Sequence, residues 1–362
     1  MTRTLRVELG ERSYDVRIAP GAVSDLGEAT ARLGAVSSGV IISDETVAAH
    51  YGRAAGEALR AVGLDAPLLT FPPGEPHKTF ATYGELLDAV LQCQPAIDRR
   101  SVIIALGGGV TGDLAGFVAA TCLRGLRFVQ CPTTLLADVD SAVGGKTGVD
   151  HAAGKNLIGA FHQPSAVVID VQTLGTLSDA ELRNGLAECV KHAVIRDADL
   201  LTFIDHGAKP FFARDVDALS ELVARNVAIK AAVVAGDERE YGDRAHLNFG
   251  HTVGHAIEVD ADYTLAHGSA VALGMLVESE LAVGRGLLAR DAADRLGDVL
   301  ERLGLPVRRA GLSAERLGRL MQRDKKARAG KVRFVLPTAI GSVTVVDDVT
   351  DDALREALQR IA

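Results

Sequence analysis

Residues 101–117 have the sequence SVIIALGGGVTGDLAGF, which predicts a strand, a glycine turn and the start of a helix. The apolar run SVIIAL is typical of a strand that is covered on both faces of a parallel sheet. After it, Gly107, Gly109 and Gly112 match G-x-G-x-x-G in the context where helix N–H groups receive a pyrophosphate. The stretch therefore indicates an α/β fold and favours a dinucleotide site, with a simple tight turn as the alternative.

Apolar runs of similar length recur along the first half of the chain and alternate with segments of helical spacing. Four further runs lie at 39–43, 67–71, 127–131 and 166–170, and helical spacing occurs at 46–62 and 80–92. Such alternation predicts a parallel sheet with helices on both faces. Before it, residues 4–18 alternate apolar and polar side chains around a Gly-Glu-Arg turn, which predicts a β-hairpin.

The second half of the chain differs in character from the first. Long segments of helical period run from 178 to 322 without a convincing strand, and they are followed by a small β element (332–336 and 341–346) and a helix near 351–361. We therefore expect a Rossmann-like α/β domain over residues 1–174 and a mainly helical domain over residues 175–362, with the boundary within 172–177.

The overall composition limits the partners of this chain. Its 362 residues carry a net charge of −8, whereas a nucleic-acid-binding protein would need a basic face. No apolar run is long enough to span a bilayer and the N-terminus has no apolar signal segment, so we expect a cytoplasmic protein without a membrane partner. The cysteines are scattered without metal-site or disulfide spacing, which favours reduced thiols.

Residues 131–164 combine glycine turns with two lysines, Lys146 and Lys155, and with two acids that have no evident partner, Asp138 and Asp140. Glycine lets backbone N–H groups approach an anion closely, and lysine adds positive charge. The Gly-Lys-Thr sequence around Lys146 is not a Walker A motif, because Asp140 occupies the position of its first glycine. The segment therefore indicates a site for a phosphorylated or carboxylated small molecule.

The helical half offers a candidate metal site. His251 and His255 are four residues apart and share a helix face, but Thr252 replaces the glutamate of a zinc peptidase motif. Glu188 lies on another apolar helix, and His267 begins a third. One carboxylate and two imidazoles leave open positions on a catalytic Zn²⁺ or Co²⁺ ion, whereas two ordinary buried histidines are the alternative.

Seven segments resemble, in order along the chain, the motifs of the 3-dehydroquinate synthase family, the shikimate-pathway branch of the sugar-phosphate cyclases. They are PPGEPHK (72–78), GGGVTGDLAGF (107–117), PTTLLADVDSAVGGKTGVDHAAGKNLIGAFHQP (132–164), GLAECVKH (185–192), DEREYGDRAHLNFGHTVGHAIE (237–258), HGSAV (267–271) and RDKK (323–326). The resemblance implies an N-terminal NAD-binding α/β domain and an all-α metal-binding domain, an architecture shared with glycerol dehydrogenases. It also implies a homodimer.

The resemblance also implies roles for individual residues. Glu188, His251 and His267 would bind the metal, which makes His255 a substrate-site residue. NAD would be bound by Asp44, Pro73, Gly74, Glu75, Pro76, His77, Lys78, Gly109, Val110, Thr111, Gly112, Asp113, Thr133, Thr134, Lys146, Lys155, Thr173, Leu174, Gly175 and Thr176. The substrate would be held by Asp140, Lys146, Lys155, Asn156, Lys191, Lys230, Arg244, Asn248, His255, one of Lys325 and Lys326, and Arg124 of the neighbouring subunit.

The implied reaction converts a phosphorylated sugar acid, 3-deoxy-D-arabino-heptulosonate 7-phosphate, to 3-dehydroquinate and phosphate. It proceeds by transient NAD-dependent oxidation, phosphate elimination, re-reduction and intramolecular aldol closure. Asp150 departs from the family pattern, since many members carry asparagine there. This departure leaves a related cyclase that forms an amino-dehydroquinate or a carbasugar precursor as an alternative, and a metal-dependent polyol dehydrogenase as a more distant one.

Overall fold

The computed structural model describes residues 2–240, 242–323 and 332–362 and divides the chain into two compact units. The first unit contains the chain up to Leu177 together with Val216–Glu238, and the second contains Ser178–Asp215 and Arg239–Ala362. The chain therefore leaves the first unit, returns to it for one long segment and leaves again. The predicted single boundary between residues 174 and 175 lies near the point where the chain first passes to the second unit, but it does not account for this return.

The core of the first unit is a seven-stranded sheet in the order β1-β2-β9-β6-β5-β3-β4, and a separate hairpin is formed by β7 and β8. The strands are β1 (Arg3–Val7), β2 (Tyr14–Ala19), β3 (Gly39–Asp44), β4 (Leu68–Phe71), β5 (Val102–Gly107), β6 (Arg127–Pro132), β7 (Lys146–His151), β8 (Gly154–Phe161) and β9 (Ala166–Asp170). Only β1 is antiparallel to its neighbour within the large sheet. The predicted N-terminal hairpin and the five predicted apolar strands are confirmed.

Both faces of the central strands are buried, which explains why these strands are mostly apolar. Along β3, Ile42 packs on one face and Ile41 on the other, and along β5, Ile103 and Ile104 alternate in the same way. The helices that cover these faces are α1 (Leu26–Ala31), α2 (Glu45–Val47), α3 (Arg53–Ala61), α4 (Phe80–Leu91) and α5 (Gly109–Thr121), and the returning helix α8 (Val216–Gly236) also belongs to this unit.

The hairpin β7–β8 falls within the glycine-rich segment 131–164, for which the sequence did not predict strands. Its two antiparallel strands lie so close together at this point that a Cβ on Gly148 would lie 2.4 Å from the Ile158 carbonyl oxygen. A Cβ on Gly159 would lie 2.0 Å from the Thr147 carbonyl oxygen. Glycine is therefore required at both positions, and this requirement removes the β-branched signal by which strands are usually predicted.

The described part of the second unit contains seven helices and one small hairpin. The helices are α6 (Asp179–Arg196), α7 (Ala198–Phe212), α9 (His251–Asp260), α10 (His267–Gly284), α11 (Arg290–Arg302), α12 (Ala314–Arg323) and α13 (Asp351–Arg360), and the hairpin is formed by β10 (Phe334–Ala339) and β11 (Ser342–Val346). No helix within residues 2–240, 242–323 and 332–362 is both long and apolar enough to cross a membrane.

Helices α9 and α10 approach each other through glycine. A Cβ on Gly274 would lie 1.9 Å from the Gly250 carbonyl oxygen, and a Cβ on Gly254 would lie 3.0 Å from the Ala270 carbonyl oxygen. Gly250 has a φ of +76°, a left-handed conformation that glycine adopts without strain. This backbone contact fixes the relative position of His251 and His267, which begin the two helices.

We predict that Gly274→Ala destabilises the protein, because its Cβ would meet the backbone of α9 and not a movable side chain. Overpacking of this kind costs about 1–3 kcal/mol. Gly284→Ala, at the end of the same helix and with no atom within 4 Å of its Cβ, is the matched control. It should instead stabilise the protein by about 0.4–1 kcal/mol. Urea unfolding of the metal-free variants measures both changes, and equal stability of Gly274→Ala and wild type would contradict the backbone contact.

Candidate functional site

Three potential metal ligands meet in the second unit. They are Glu188 on α6, His251 at the start of α9 and His267 at the start of α10, and their ligand atoms lie within 4.8 Å of one another. Glu188 Oε1 is 3.3 Å from His251 Nε2 and 3.2 Å from His267 Nε2. The structure therefore brings together the three residues that the sequence predicted as ligands, although they come from three separate helices.

The other ring nitrogen of each histidine also has an oxygen beside it. His251 Nδ1 lies 3.1 Å from the Phe249 carbonyl oxygen, and His267 Nδ1 lies 3.3 Å from Glu258 Oε1. Histidines that bind metal usually donate their second N–H to a carbonyl or carboxylate in this way. Glu258 is not among the predicted site residues, although it lies seven residues after His251 and so shares the helix face of the two α9 histidines.

The charges of the cluster fit a divalent cation. Burial raises the pKa of Glu188, but Lys191 and His251 lower it more strongly, so that its pKa lies well below the ordinary value and the group is a carboxylate. Burial lowers the pKa of His267, but hydrogen bonds with Glu188 and Glu258 raise it to about 10. Without metal, the site therefore holds a proton on His267 opposite an ionised acid. A divalent cation can replace that proton, since metal ligands must be deprotonated.

Two predicted substrate residues lie beside this cluster. Lys191, one turn along α6 from Glu188, is 1% exposed and forms an ion pair with Glu188 Oε2. The ring of His255 lies one turn after His251 on α9, with 5.3 Å between the two ring centroids. A cation and a further imidazole therefore adjoin the potential metal ligands.

The turn before α9 carries two further predicted substrate residues. Arg244 and Asn248 lie in the helical turn Asp243–Asn248, and Arg244 is only 2% exposed. Asn248 Nδ2 donates to Glu240 Oε1 at 3.2 Å. A buried guanidinium is a strong binder of carboxylate or phosphate, because its fork of N–H donors matches both groups.

In the first unit, the predicted NAD-binding residues other than Lys146 and Lys155, which lie on β7 and β8, follow the carboxyl ends of parallel strands. Asp44 ends β3, and the other segments are Pro73 to Lys78 after β4, Gly109 to Asp113 after β5, Thr133 and Thr134 after β6, and Thr173 to Thr176 after β9. Because these strands are parallel, all five segments lie at one edge of the sheet. After β3 the chain continues to β4 on one side of the sheet, whereas after β5 it continues to β6 on the other side. Ligands of α/β sheets bind at such a switch point between neighbouring strands.

The glycine turn between β5 and α5 has the features of a nucleotide site. A Cβ on Gly107 would lie 2.4 Å from Thr111 Oγ1, so a larger residue does not fit there. Thr111 Oγ1 donates to Asp44 Oδ2 at 3.4 Å, which connects the turn to the end of β3. Thr133 Oγ1 is buried and has no hydrogen-bond partner among the described residues. An unsatisfied buried hydroxyl beside a helix N-terminus fits a bound nucleotide.

Lys78 connects three of the predicted segments. It is 4% exposed, and its Nζ lies 2.5 Å from Asp113 Oδ2 and donates to Asn156 Oδ1 at 2.5 Å. Burial lowers its pKa, but Asp113 and Glu75 raise it more, so Lys78 remains a cation. Lys155 Nζ lies 3.6 Å from Glu75 Oε1, one of the carboxylates that raise the pKa of Lys78.

One acid of the segment 131–164 has a partner that we did not expect. Asp140 is not an acid without a partner, because Lys230 of α8 forms an ion pair with it. This pairing depends on the return of α8 to the first unit, which local sequence pattern does not indicate. The turn before Lys146 is anchored by Tyr14, whose hydroxyl accepts the Gly144 N–H at 3.2 Å.

Asp138 is fully buried, and neither of its carboxyl oxygens has a hydrogen-bond partner among the described residues. Burial raises its pKa well above the ordinary value, and the nearby Asp170 raises it further. A buried carboxyl that is not paired remains protonated at neutral pH. Asp138 therefore has no charge to offer a ligand.

Arg124 is a further predicted substrate residue that the structure describes. Arg124 is exposed on the short turn Cys122–Arg124, where Leu123 and Arg124 have φ angles of 51° and 67°. Two successive left-handed residues other than glycine store strain of the kind found at functional sites. Lys325 and Lys326 lie outside the described residues.

Family models and curated relatives that are similar to this chain all belong to one family. Two family models match, described as 3-dehydroquinate synthase N-terminal over residues 68–184 and 3-dehydroquinate synthase C-terminal over residues 185–327. Curated proteins named 3-dehydroquinate synthase are 44% identical in Nostoc punctiforme, over 99% of each chain, and 47% identical in Geobacter metallireducens, over 95% of each chain.

Solved structures share the fold along nearly the whole chain. ValA, a 2-epi-5-epi-valiolone synthase from Streptomyces hygroscopicus with NAD⁺ and Zn²⁺ bound, has a TM-score of 0.89 and 32% identity over 98% of each chain. A 2-deoxy-scyllo-inosose synthase with carbaglucose-6-phosphate, NAD⁺ and Co²⁺ has a TM-score of 0.88, and it covers 99% of this chain and 100% of its own. Its 22% identity shows the fold alone.

We predict that Asp138→Asn stabilises the protein more at about pH 7 than at about pH 4. The unfolded chain releases the Asp138 proton near pH 4 whereas the folded protein retains it, so wild-type stability falls as pH rises above about 4. Asparagine has nearly the same size and does not titrate, which removes this dependence.

Asp98→Asn is the control of opposite sign. Asp98 accepts hydrogen bonds from Ser37 and from the Arg100 backbone, which lower its pKa, so its loss should cost more stability at about pH 7 than at about pH 4. Urea unfolding at both pH values measures the two variants. An equal effect of Asp138→Asn at both pH values would contradict a neutral buried acid.

Proposed function

Because the chain belongs to the 3-dehydroquinate synthase family, we propose that it converts 3-deoxy-D-arabino-heptulosonate 7-phosphate to 3-dehydroquinate and inorganic phosphate in the shikimate pathway. It is thus a carbon–oxygen lyase that uses NAD and a divalent metal. The observation that carries the proposal is the cluster of Glu188, His251 and His267 in a chain that also has a nucleotide-type glycine turn. A metal site and a dinucleotide site together suit a lyase with a transient redox step.

Related cyclases are the second candidate, and the degree of similarity disfavours them. The curated 3-dehydroquinate synthases are 44–47% identical to this chain, compared with 32% for the valiolone synthase and 22% for the inosose synthase. The departure at Asp150 has a structural explanation. Its Oδ1 accepts the Asn156 N–H at 2.8 Å, a contact that the amide oxygen of an asparagine can also make. Asp150 therefore does not indicate another substrate.

The cofactors supply chemistry that side chains lack. When bound, NAD supplies a reversible hydride acceptor and the metal held by Glu188, His251 and His267 supplies a Lewis acid for the substrate alcohol. The protein residues bind and orient the substrate around them. We assign Lys191 Nζ and the His255 imidazole to hold or move protons at substrate oxygens, since both adjoin the metal ligands.

The cations of the first unit are assigned to the phosphate. Lys146, Lys155 and Lys230 belong to or pair with the segment 131–164, and Lys230 is held by Asp140. Phosphate gains negative charge as it leaves, so cations held in place before the reaction stabilise the transition state. Arg244 and Asn248 of the second unit are assigned to the substrate carboxylate, because a guanidinium binds that group through two parallel hydrogen bonds.

Arg124 is assigned to the substrate phosphate of a neighbouring subunit in a homodimer. The strained turn and the exposure of this arginine support an outward-directed role. The phosphorylated substrate and NAD are compounds of the cell interior, which supports the expected cytoplasmic location.

The proposed activity is tested by phosphate release from 3-deoxy-D-arabino-heptulosonate 7-phosphate with the metal and only catalytic amounts of NAD. We expect phosphate release without accumulation of NADH, because the hydride returns to the substrate in each turnover. Sedoheptulose 7-phosphate and glycerol serve as competing substrates. Faster phosphate release from sedoheptulose 7-phosphate would identify another cyclase, and steady NADH formation from glycerol would identify a polyol dehydrogenase.

Subunit complementation tests Arg124. Arg124→Ala should raise KM for the heptulosonate phosphate and leave NAD affinity unchanged, while Glu188→Gln should be inactive through loss of metal. If Arg124 serves the partner's site, a mixed dimer of the two variants has one complete site. At a substrate concentration far below the raised KM, where Arg124→Ala alone has little activity, an equal mixture should then recover about a quarter of wild-type activity, since half of the dimers are mixed and each has one of its two sites active. No recovery in a mixture shown to exchange subunits would place Arg124 within its own site, and a wild-type KM in Arg124→Ala would place it outside catalysis.

A further inference from the structure

Both metal-site histidines present Nε2 to Glu188, but different groups hold their other nitrogen. The two Nε2 atoms lie 3.3 Å and 3.2 Å from Glu188 Oε1. Which nitrogen of a histidine is free to bind metal is set by the hydrogen bond that the other nitrogen makes. The partners of the two Nδ1 atoms therefore determine whether this site is ready for a metal.

For His251 the partner is the protein backbone. Its Nδ1 lies 3.1 Å from the carbonyl oxygen of Phe249, which can only accept a hydrogen bond. That carbonyl precedes Gly250, whose N–H donates to the buried carboxylate of Glu278 at 2.7 Å. The acceptor beside His251 Nδ1 is therefore a main-chain atom, in a turn that the Glu278 carboxylate also holds.

For His267 the partner is a side chain from another helix. Glu258 Oε1 lies 3.3 Å from His267 Nδ1, and Glu258 is only 5% exposed. Glu258 lies near the end of α9 and His267 at the start of α10, so the contact joins the two helices across the loop between them. Burial excludes much of the water that would otherwise compete for the Nδ1–H.

We propose that Glu258 is the positioning residue of the metal site: its carboxylate accepts the Nδ1–H of His267 and so directs Nε2 to the metal. This inference rests on the metal site of the proposed function. Glu258 does not act as a fourth ligand of the same ion, because the two nitrogens of an imidazole point in different directions. An ion at Nε2, on the side of Glu188, lies away from the carboxylate at Nδ1.

Metal affinity, measured without substrate, tests the proposal. The dissociation constant for Zn²⁺ is obtained by competition with a chromophoric chelator for wild type, Glu258→Ala, Glu258→Gln and Asp260→Asn. Loss of a carboxylate behind a metal-bound histidine weakens binding about 10- to 100-fold, and we expect this for Glu258→Ala. Glu258→Gln should lose less, since its amide oxygen can still accept the Nδ1–H. Asp260→Asn, on the same helix but paired with Arg316, should bind as wild type does.

A second measurement separates positioning from a general structural role. In ¹⁵N-histidine-labelled, Zn²⁺-loaded protein, the Nδ1–H resonance of His267 should be protected from exchange in wild type and Glu258→Gln. It should be lost by exchange in Glu258→Ala. A residue that only stabilises the fold would lower the unfolding temperature and leave this resonance unchanged.

The outcomes are separable. If Glu258→Ala does not fold, Glu258→Gln decides, because it should still bind Zn²⁺ more weakly than Asp260→Asn. Wild-type affinity in Glu258→Gln together with wild-type affinity in a folded Glu258→Ala would overturn the proposal. Failure of the wild-type protein to release phosphate while these affinities change as expected would overturn the proposed function and leave the role of Glu258 intact.

Discussion

The second unit depends on one carboxylate that has been removed from water. An ion as deeply buried as Glu188 is costly unless charges and hydrogen bonds compensate it. Lys191 and the two histidines provide that compensation, and each group comes from a different turn or helix. The glycine contact between α9 and α10 brings the two imidazoles within reach. Metal binding thus completes an electrostatic arrangement that the helices already impose.

The first unit depends on a different constraint, the direction of its strands. Parallel strands bring their carboxyl ends to one edge, so short segments that are far apart in sequence become neighbours there. Polar residues at this edge are then connected by contacts such as Thr111 with Asp44 and Lys78 with Asp113. The direction of the strands therefore determines which residues meet at the site.

The sequence was sufficient for the large sheet because its central strands are buried on both faces and appear as apolar runs, whereas its N-terminal pair alternates apolar and polar side chains. It was insufficient for the hairpin β7–β8, in which Gly148 and Gly159 replace the residues that normally mark strands. Periodicity also predicts that α8 is a helix but not that it joins the first unit. For that reason, the partner of Asp140 could not be found from neighbouring sequence.

The candidate site was predictable where residue type and motif coincide, as for the three potential metal ligands. Glu258 was missed because an acid near a helix end is usually exposed, and only the tertiary contact with His267 distinguishes it. Asp138 was misleading for the opposite reason, since an acid in an anion-binding segment suggested a charged group. Its burial without a hydrogen-bond partner among the described residues keeps it neutral.

The return of α8 to the first unit has a consequence for how this chain can be divided. The backbone passes from one unit to the other after Leu177, after Asp215 and after Glu238, so neither unit is a contiguous stretch of sequence. A gene fragment that ends near the first crossing would encode a sheet without Lys230 and without the helix that carries it. Modular inheritance of the two halves would therefore require a rearrangement of the chain order, and the two activities of binding nucleotide and binding metal are expected to be inherited together.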